Sequence, residues 1–466
     1  MKSRLIIGFV GLYLATTAFA QQDRVRRPVN STQMRELSGN IHPLAQAQFD
    51  QGPVDLNQDL PNLTLLFKPS AAQQADLDRT LADLQNPASP DFRKWFTPET
   101  YADRFGVSPN DAAAAVAWLQ SEGFTVSQVA RGRGFIRFSG TAARAATALR
   151  TQIRRYRVNG QTRYANSTEP SIPAALTEIV AGIRGLDNFK LTSHHRIVPN
   201  FNLSSDKHAL APDDLSKIYD LDPLYQVGID GTGQKLAIIG ETDIDITDIQ
   251  KFRQRFGLPS NDPQVVPASF GQGIVDEELA EADLDLEWAG AIARNAKIFY
   301  VTSSDVVTSA AYAIDNNVAP VMSMSYGGCE ARISIGLALR TLAQQAAAQG
   351  ITWLVSSGDA GAAGCDRQNT APQTARGLGV SIFAAFPEVT GVGGTMFDDA
   401  VGNYWANTNG ATLASAKSYI PEKGWNENDA AGLFSSGGGA SILFSKPAWQ
   451  TGPGVPNDQA RDVPDI

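Results

Sequence analysis

Apolar segments alternate with helical segments in the second half of the chain. The predicted strands are Lys235–Gly240, Lys297–Thr302, Val318–Ser323 and Ile351–Ser356. The predicted helices are Ile244–Phe256, Glu277–Arg294, Val306–Asn316 and Ile333–Gln349. Strands that are apolar on both faces and separated by helices are typical of a parallel sheet covered on both sides. We therefore predict an α/β domain over residues 209–466.

The region before this domain has a different order of elements. We predict a strand, two helices, a strand pair, a further helix and a last strand, at Leu63–Phe67, Ala71–Leu84, Pro109–Glu122, Phe124–Val129 with Phe135–Phe138, Thr141–Ile153 and Tyr156–Tyr164. This is the order of a ferredoxin-like α+β module. We place the module within residues 21–188 and predict an exposed linker over residues 189–208.

The two modules differ in charge. Between Arg131 and Arg163 the chain has nine arginines and no acidic residue. From Ala209 to the end it has 31 acidic and 15 basic residues, and the whole chain carries a net charge of −9. Opposite charges on adjacent modules suggest that the modules dock. The acidic second module argues against nucleic-acid binding.

The N-terminus predicts export. Basic residues precede the apolar run Leu5–Leu14 and the small-residue cleavage site Ala18-Phe19-Ala20, as in a secretory signal over residues 1–20. A membrane anchor is the alternative, but the run is short. No other segment is long and apolar enough to cross a bilayer, so we expect a secreted protein, extracellular or periplasmic, with no membrane partner.

The chain has two cysteines, Cys329 and Cys365. In an exported protein we expect such a pair to be joined as a disulfide, with two separate buried thiols as the alternative. Neither cysteine is predicted to be catalytic, because no histidine follows His208 to activate a thiolate.

Two carboxylates lie on the apolar side of a predicted helix, in the stretch "EADLDLEWAGAI". On a helical wheel Glu281 and Asp285 share the apolar arc, one turn apart, whereas Asp283 and Glu287 form a solvated face. The other members of the apolar arc are Leu284, Trp288 and Ile292.

Two adjacent buried carboxylates cannot both ionise cheaply, so they are expected to share a proton. The functional interpretation of Glu281 and Asp285 is therefore an acid/base dyad. A misjudged helix register and a cation-binding pair are the alternatives, and no further ligand follows at metal-site spacing.

A third carboxylate, Asp359, follows the predicted strand Ile351–Ser356 in the turn "SSGDAG". Ligands gather beyond the carboxyl ends of parallel strands, which makes Asp359 a candidate site residue. A Gly-Asp-x-Gly turn also occurs for conformational reasons alone.

Several long motifs together resemble the sedolisins, serine-carboxyl peptidases of subtilisin-like fold, in their secreted precursor form. The first module carries "LQNPASPDFRKWFTPETYADRFG", "FIRFSGT" and "IVAGIRGLDN". The second carries "EADLD", "SMSYGGCE", "SSGDAG", "VTGVGGT" and "SSGGGAS" with "PAWQ". The resemblance implies an activation pro-domain over 21–188, a linker with the processing site over 189–208, and a subtilisin-like peptidase domain over 209–466.

The resemblance also implies a Ser-Glu-Asp triad. Glu281 matches the general base, Asp285 the residue that holds it, and Asp359 the acid of the oxyanion hole. A carboxylate base must be deprotonated and Asp359 must be protonated to donate a hydrogen bond, and both conditions overlap at acid pH. The stretch Ser325-Tyr326-Gly327 matches the strand edge that pairs with the substrate backbone, although from sequence it is equally an ordinary strand end.

The nucleophile of the family lies in a Gly-Thr-Ser motif, and these 466 residues contain no such triplet. Ser435 and Ser436 begin the Ser-Gly-Gly-Gly segment and are not assigned this role. We expect the serine, and the calcium-binding loop that the family resemblance implies, to lie beyond Ile466. Within the chain we expect no metal ligand, and we expect the chain by itself to be inactive.

The function predicted from sequence is therefore the precursor of a secreted, acid-acting serine endopeptidase. Its partners would be protein or peptide substrates and its own pro-domain, acting as intramolecular inhibitor and chaperone, and we expect a monomer. The alternatives are a catalytically inactive secreted binding protein of the same fold and a tripeptidyl-peptidase of the same family.

Overall fold

The computed structural model describes residues 21–193, 210–269, 273–333, 335–366, 376–427 and 432–466. The predicted signal and most of the predicted linker lie outside these residues. We refer to residues 21–188 as the N-terminal module and to residues 210–466 as the C-terminal module. Within the described residues no helix is long and apolar enough to cross a membrane.

The N-terminal module is built from short antiparallel sheets and helices. Its elements are β1 Met34–Glu36, β2 Asp50–Pro53, β3 Asp59–Phe67, α1 Ala71–Gln85, α2 Pro98–Phe105, α3 Pro109–Ser121, β4 Thr125–Val129, β5 Phe135–Thr141, α4 Ala142–Ala148, β6 Ile153–Val158, β7 Gln161–Asn166, β8 Ser171–Pro173 and β9 Val180–Arg184. Short 3-10 turns lie at Ala47–Phe49 and Ala174–Leu176.

The main sheet of this module has the strand order β4-β5-β3-β9, all antiparallel. This is the ferredoxin-like order, but its last strand is Val180–Arg184 and not the predicted Tyr156–Tyr164. The predicted strand is instead a hairpin, β6-β7, that pairs with β2 in a separate sheet. Asn159 and Gly160, both at positive φ, form the turn that divides it, because an Asn-Gly pair favours a tight hairpin.

The C-terminal module contains the predicted parallel sheet. After the short strand β10 Thr192–Ser193, its elements are α5 Pro212–Ile218, α6 Asp222–Gln226, β11 Lys235–Gly240, α7 Ile246–Arg255, β12 Gln264–Pro267, α8 Asp276–Ile292, β13 Lys297–Thr302, α9 Val306–Asp315, β14 Val321–Met324, β15 Tyr326–Gly327, α10 Gly336–Ala348, β16 Thr352–Ser356, β17 Thr390–Val392, β18 Thr395–Phe397, β19 Glu422–Gly424, β20 Gly439–Ser445 and β21 Ala460–Val463.

Six strands form this sheet in the order β12-β13-β11-β14-β16-β17, and every pair is parallel. Successive residues of β11 show why the strands of this sheet are continuously apolar. Ala237 and Ile239 lie in the core that contains α9 and α10, whereas Ile238 lies in the core that contains α7 and α8. Because side chains alternate across a strand, a sheet covered on both faces requires apolar residues at every position.

The two modules pack against each other, but the arginine-rich stretch contributes less than its charge predicts. Three of its arginines form ion pairs within the N-terminal module: Arg131 with Glu99, Arg133 with Asp103 and Arg154 with Asp50. Across the interface, the Arg137 guanidinium donates to the carbonyl oxygens of Ala268 (2.9 Å) and Thr308 (2.7 Å).

The acceptor at the centre of the interface is Asp315, the last residue of α9, which is 1% exposed. Its carboxylate accepts the backbone N–H groups of Arg131 (2.9 Å) and Gly132 (2.8 Å). The predicted docking is therefore confirmed. Leu66, Ala130 and Phe135 of the N-terminal module pack into the core that contains α9 and α10, and the Arg184–Asp305 ion pair also crosses the interface.

Candidate active site

Helix α8 carries the predicted carboxylate pair. Its first turn holds three acidic residues, Asp276, Glu277 and Glu278, where the helix dipole favours negative charge. Glu281 is 1% exposed, and Asp285 one turn later is half-buried. Glu281 is therefore buried, as the helical wheel predicts, whereas Asp285 is only partly shielded from solvent.

The prediction for the other face of α8 was wrong. Asp283 and Glu287 are half-buried, and Leu284 of the predicted apolar arc is 41% exposed. Helix α8 packs its Ala282 and Leu286 against the sheet, in the core shared with α7. The buried face of the helix is therefore turned relative to the face that the helical wheel predicts. Burial, followed by nearby carboxylates, raises the pKa of Asp283 to about 6 and that of Glu287 to about 8.

Asp285 is joined to the carboxyl end of the sheet. Ser325 directly follows β14, and its Oγ donates a hydrogen bond of 2.8 Å to Asp285 Oδ1. Sequence predicts Ser325 only as part of the substrate-binding edge. In the structure its side chain also fixes the position of Asp285, so the helix and the strand edge are connected through one hydrogen bond.

Three glutamates surround the aromatic residue of that edge. Tyr326 is fully buried, and its pKa is raised by burial and further by the negative charges of Glu278, Glu241 and Glu281, together with the neighbouring Tyr300. Sequence reasoning identified Glu281 but missed the other two glutamates. The signal for Glu241 was present, because it follows the apolar strand β11 at the same sheet edge as Ser325 and Asp359.

Asp359 lies three residues after β16, the strand adjacent to β14 in the sheet. The sheet therefore places Asp359 and Ser325 at its same edge. Asp359 is half-buried, and its carbonyl oxygen accepts the backbone N–H of Ser435 at 2.9 Å. Gly358 and Gly361 on either side have φ of +111° and +57°, so the turn also needs its glycines for conformational reasons.

The Ser-Gly-Gly-Gly segment packs against this turn. A Cβ on Gly437 would lie 2.2 Å from the carbonyl oxygen of Ser357, so only glycine fits there. Ser436 Oγ accepts the backbone N–H of Gly394 at 3.0 Å. These contacts give the segment a part in holding the Asp359 turn, consistent with not assigning Ser435 or Ser436 as the nucleophile.

The edge Tyr326–Gly327 is already paired with an extended segment of the same chain. Strand β10 lies antiparallel to β15, with Thr192 opposite Gly327 and Ser193 opposite Tyr326. At the start of the predicted exposed linker, Lys190 is exposed, whereas Phe189, Leu191 and Ser193 are half-buried. Phe189 stacks on His42, with ring centroids 4.0 Å apart, and Lys190 forms an ion pair with Glu241 at 3.0 Å.

The remainder of the predicted linker, including His194 and His195, lies outside the described residues. The described part turns into the cleft because a buried ring stack and a buried carboxylate hold it there.

The predicted disulfide is present. Cys329 and Cys365 are bonded, with Cα atoms 4.8 Å apart and a separation of 36 positions in sequence. Cys329 follows the paired edge by two residues, and Cys365 follows Asp359 by six. The disulfide therefore ties the strand edge to the loop that begins at Asp359.

Among the described residues, no group of three or more His, Cys, Asp or Glu side chains is arranged to hold a metal ion.

Comparison with known proteins shows what this arrangement is similar to. Residues 47–189 match the family described as "Pro-kumamolisin, activation domain". The chain is 29% identical over 402 residues to "Sedolisin" of Pseudomonas sp. (strain 101), covering 81% of this chain and 65% of the relative. It is 29% identical over 432 residues to "Xanthomonalisin" of Xanthomonas sp. (strain T-22), covering 84% of this chain and 51% of the relative.

A solved structure of Pseudomonas sedolisin, a serine-carboxyl proteinase complexed with two molecules of pseudo-iodotyrostatin, matches with a TM-score of 0.45 and 27% identity, covering 56% of this chain and 70% of that structure. The chain spans less than two thirds of the length of the two relatives named above. The chain thus combines a match to a pro-kumamolisin activation domain with similarity to sedolisin and xanthomonalisin, which supports a precursor of the sedolisin type.

Proposed function

We propose that the natural protein is the precursor of a secreted, acid-acting serine endopeptidase. Glu281 is the general base, Asp285 holds it, and Asp359 donates a hydrogen bond to the oxyanion of the tetrahedral intermediate. The nucleophilic serine is supplied by residues that follow Ile466 in the natural protein, so residues 1–466 alone do not hydrolyse peptides.

The proposed chemistry follows from the placement of the three carboxyl groups. Glu281 is 1% exposed, so a proton it takes from the serine stays in the site. Asp285, held by Ser325 at 2.8 Å, is the positioning partner one helical turn away. Asp359 lies at the same sheet edge, and in its protonated form it stabilises negative charge on the substrate oxygen.

One observation carries the proposal: the edge Tyr326–Gly327 pairs antiparallel with the extended segment Thr192–Ser193 of the chain itself. An edge that accepts one extended peptide through backbone hydrogen bonds is suited to accept another, which is how proteins add a peptide strand to a sheet. In the precursor, residues 192–193, which follow the N-terminal module, thus occupy the proposed substrate position, so that the module and this segment act together as an intramolecular inhibitor. Its contacts with the C-terminal module also support a role as folding chaperone.

Export is further proposed from the signal-like residues 1–20. Processing within the linker, a monomeric state and calcium binding are proposed from the family resemblance alone, and no step of the chemistry depends on calcium.

The test is hydrolysis of a denatured protein substrate by the natural protein, with its sequence continued past Ile466, between pH 3 and pH 7. Activity confined to acid pH is expected, with products from internal cleavage; tripeptides alone would indicate a tripeptidyl-peptidase. Glu281→Gln is expected to lower kcat/KM by about 1000-fold or more. The matched control is Glu287→Gln, on the same helix but outside the site.

Two outcomes would reject the proposal. The first is full activity in the Glu281→Gln variant. The second is the absence of hydrolysis in a correctly folded natural protein that binds peptides, which would favour the non-enzymatic binding protein.

A further inference from the structure

A cavity of about 390 Å³ separates the two modules beside the paired edge. The cavity is lined by His42 and Arg184 of the N-terminal module, by Lys190 and Leu191, and by Glu241 and Ser304 of the C-terminal module. Lys190 and Leu191 belong to residues 189–193, which we call the N-terminal strand and which continue into β10. A peptide bound in place of that strand would lie along the same space.

Glu241 is the buried acid of this space. It follows β11, is 2% exposed and accepts the backbone N–H of Val306 through Oε2 at 3.2 Å. Val306 is the first residue of α9, where the helix dipole also favours a negative charge. The C-terminal module therefore fixes one oxygen of the carboxylate without any help from the N-terminal module.

The second oxygen holds a cation. Lys190 Nζ donates to Glu241 Oε1 at 3.0 Å, and the Lys190 side chain is 35% exposed while that of Glu241 is 2% exposed. A second carboxylate, Glu278 of α8, lies near enough to add its negative charge to Glu241, and its Oε2 is buried with no hydrogen-bond partner among the described residues. A cation near two neighbouring carboxylates favours their charged forms, and Lys190 supplies that cation here.

The position of Lys190 along the cleft is defined by the strand pairing. Thr192 lies opposite Gly327, and the side chain of Leu191 reaches 3.2 Å from the position that a Cβ on Gly328 would occupy. The segment thus continues along the same edge, and Lys190 lies two residues before the residue opposite Gly327. Any substrate strand in this register presents a side chain at the same place.

We propose that Glu241, with Glu278 beside it, is a specificity-determining subsite that selects a lysine or arginine side chain of the substrate. The selected residue lies two positions N-terminal to the residue that pairs with Gly327. This inference rests on the proposed function, because it assumes that peptides enter the cleft in the register of the N-terminal strand. Lys190 then acts as the built-in occupant of a site that substrates use after its removal.

A competing explanation is that the Lys190–Glu241 pair serves only to hold the modules together. The two explanations differ in what happens once the N-terminal strand has left. A docking contact has no effect on which peptides bind, whereas a subsite continues to discriminate between cationic and neutral side chains.

The test compares two peptides that differ at one position, lysine against the isosteric norleucine. Both are titrated into the natural protein after its linker, residues 194–208, has been cut, and displacement of the N-terminal fragment measures their affinity without requiring turnover. The same pair is then compared by kcat/KM. We expect a preference for lysine of about 10-fold or more in affinity, which falls to about 2-fold or less in Glu241→Gln.

The control is Glu277→Gln, an exposed acid in the first turn of α8, which should keep the preference. Equal affinity of the two peptides for the unmodified protein overturns the subsite, and this measurement involves no variant that could misfold. A preference that persists in Glu241→Gln also overturns it. A lysine preference without hydrolysis of either peptide supports the subsite and rejects the peptidase function instead, so the two failures are distinguishable.

Discussion

Acidification should weaken the precursor through a single histidine, His42. It is 8% exposed, stacks on Phe189 with ring planes 4° apart, and accepts the backbone N–H of Leu44 at Nδ1 (3.2 Å). A proton at Nδ1 would break that hydrogen bond. Burial, followed by the positive charge of Arg332 on the C-terminal module, lowers the pKa of His42 from 6.5 to about 4.

Because the pKa of His42 is lower in the folded protein than in the unfolded chain, acidification lowers the free energy of unfolding. The folded, docked protein holds His42 neutral, whereas the unfolded chain protonates it below about pH 6.5. The stabilisation is therefore complete above that pH and is lost as the pH falls toward about 4. At about 1.4 kcal/mol per pKa unit, the loss amounts to about 3 kcal/mol in the free energy of unfolding.

The perturbation is His42→Phe, which keeps an aromatic ring against Phe189 but cannot titrate. Both proteins carry Glu281→Gln so that self-cleavage cannot contribute. Urea unfolding is followed by tryptophan fluorescence, for which the chain has seven tryptophans, at pH 7, 6, 5 and 4. Subtracting the free energy of unfolding of the variant from that of the parent, at each pH, cancels the contribution of the other titrating groups.

The difference in free energy of unfolding between parent and variant should change by about 3 kcal/mol between pH 7 and pH 4, because the parent loses this much stability relative to the variant. The lost Leu44 hydrogen bond shifts the variant by about 1 kcal/mol at every pH and so does not alter the slope. A difference that stays constant within about 0.5 kcal/mol across this range would refute the reasoning, because it would mean that His42 titrates normally in the folded protein.

Three further predictions concern single contacts. Asp315→Ala leaves the buried N–H groups of Arg131 and Gly132 without an acceptor. It should lower the free energy of unfolding, measured in urea, by about 2–4 kcal/mol. A loss below about 1 kcal/mol would contradict the assigned interface. Cys329→Ser should cost about 3–4 kcal/mol by the same measurement, and reducing agent should then have no further effect. Tyr326→Phe removes a buried hydroxyl that lacks a hydrogen-bond partner among the described residues and should stabilise the protein by about 1 kcal/mol, whereas a clear destabilisation would show that the hydroxyl is paired.

The central sheet was predictable because its signal is local. The strands Lys235–Gly240 and Lys297–Thr302 have the predicted bounds, since burial on both faces leaves a continuous apolar run in the sequence. The edge strand Gln264–Pro267 was missed because it has only four residues and ends in a proline, so it gives little strand signal in the sequence. In the N-terminal module, the last strand was misplaced because the run around Tyr156 has strand character, and only pairing decides which strand completes a sheet.

The site was predictable to a smaller extent. Glu281 and Asp285 follow from helical spacing, which places residues four apart on one face. Helical spacing does not show which elements pack against that face. Leu284 and Asp283 were therefore assigned to the wrong environments, because the sequence does not reveal which neighbouring helix packs against α8. The family resemblance assigned the roles of Glu281, Asp285 and Asp359, and those roles remain predictions to be tested.

The sequence by itself determined the class of each module, the position of the carboxylate pair on its helix and the pairing of the two cysteines, since each depends on residue type and spacing along the chain. Only the tertiary structure decided that Ser325 holds Asp285, that Lys190 meets Glu241 and that residues 192–193 occupy the strand edge. These contacts join residues that are between 40 and 135 positions apart. Such pairs leave no periodic trace in the sequence, because they form only when parallel strands bring their carboxyl ends to one edge and the N-terminal module packs across it.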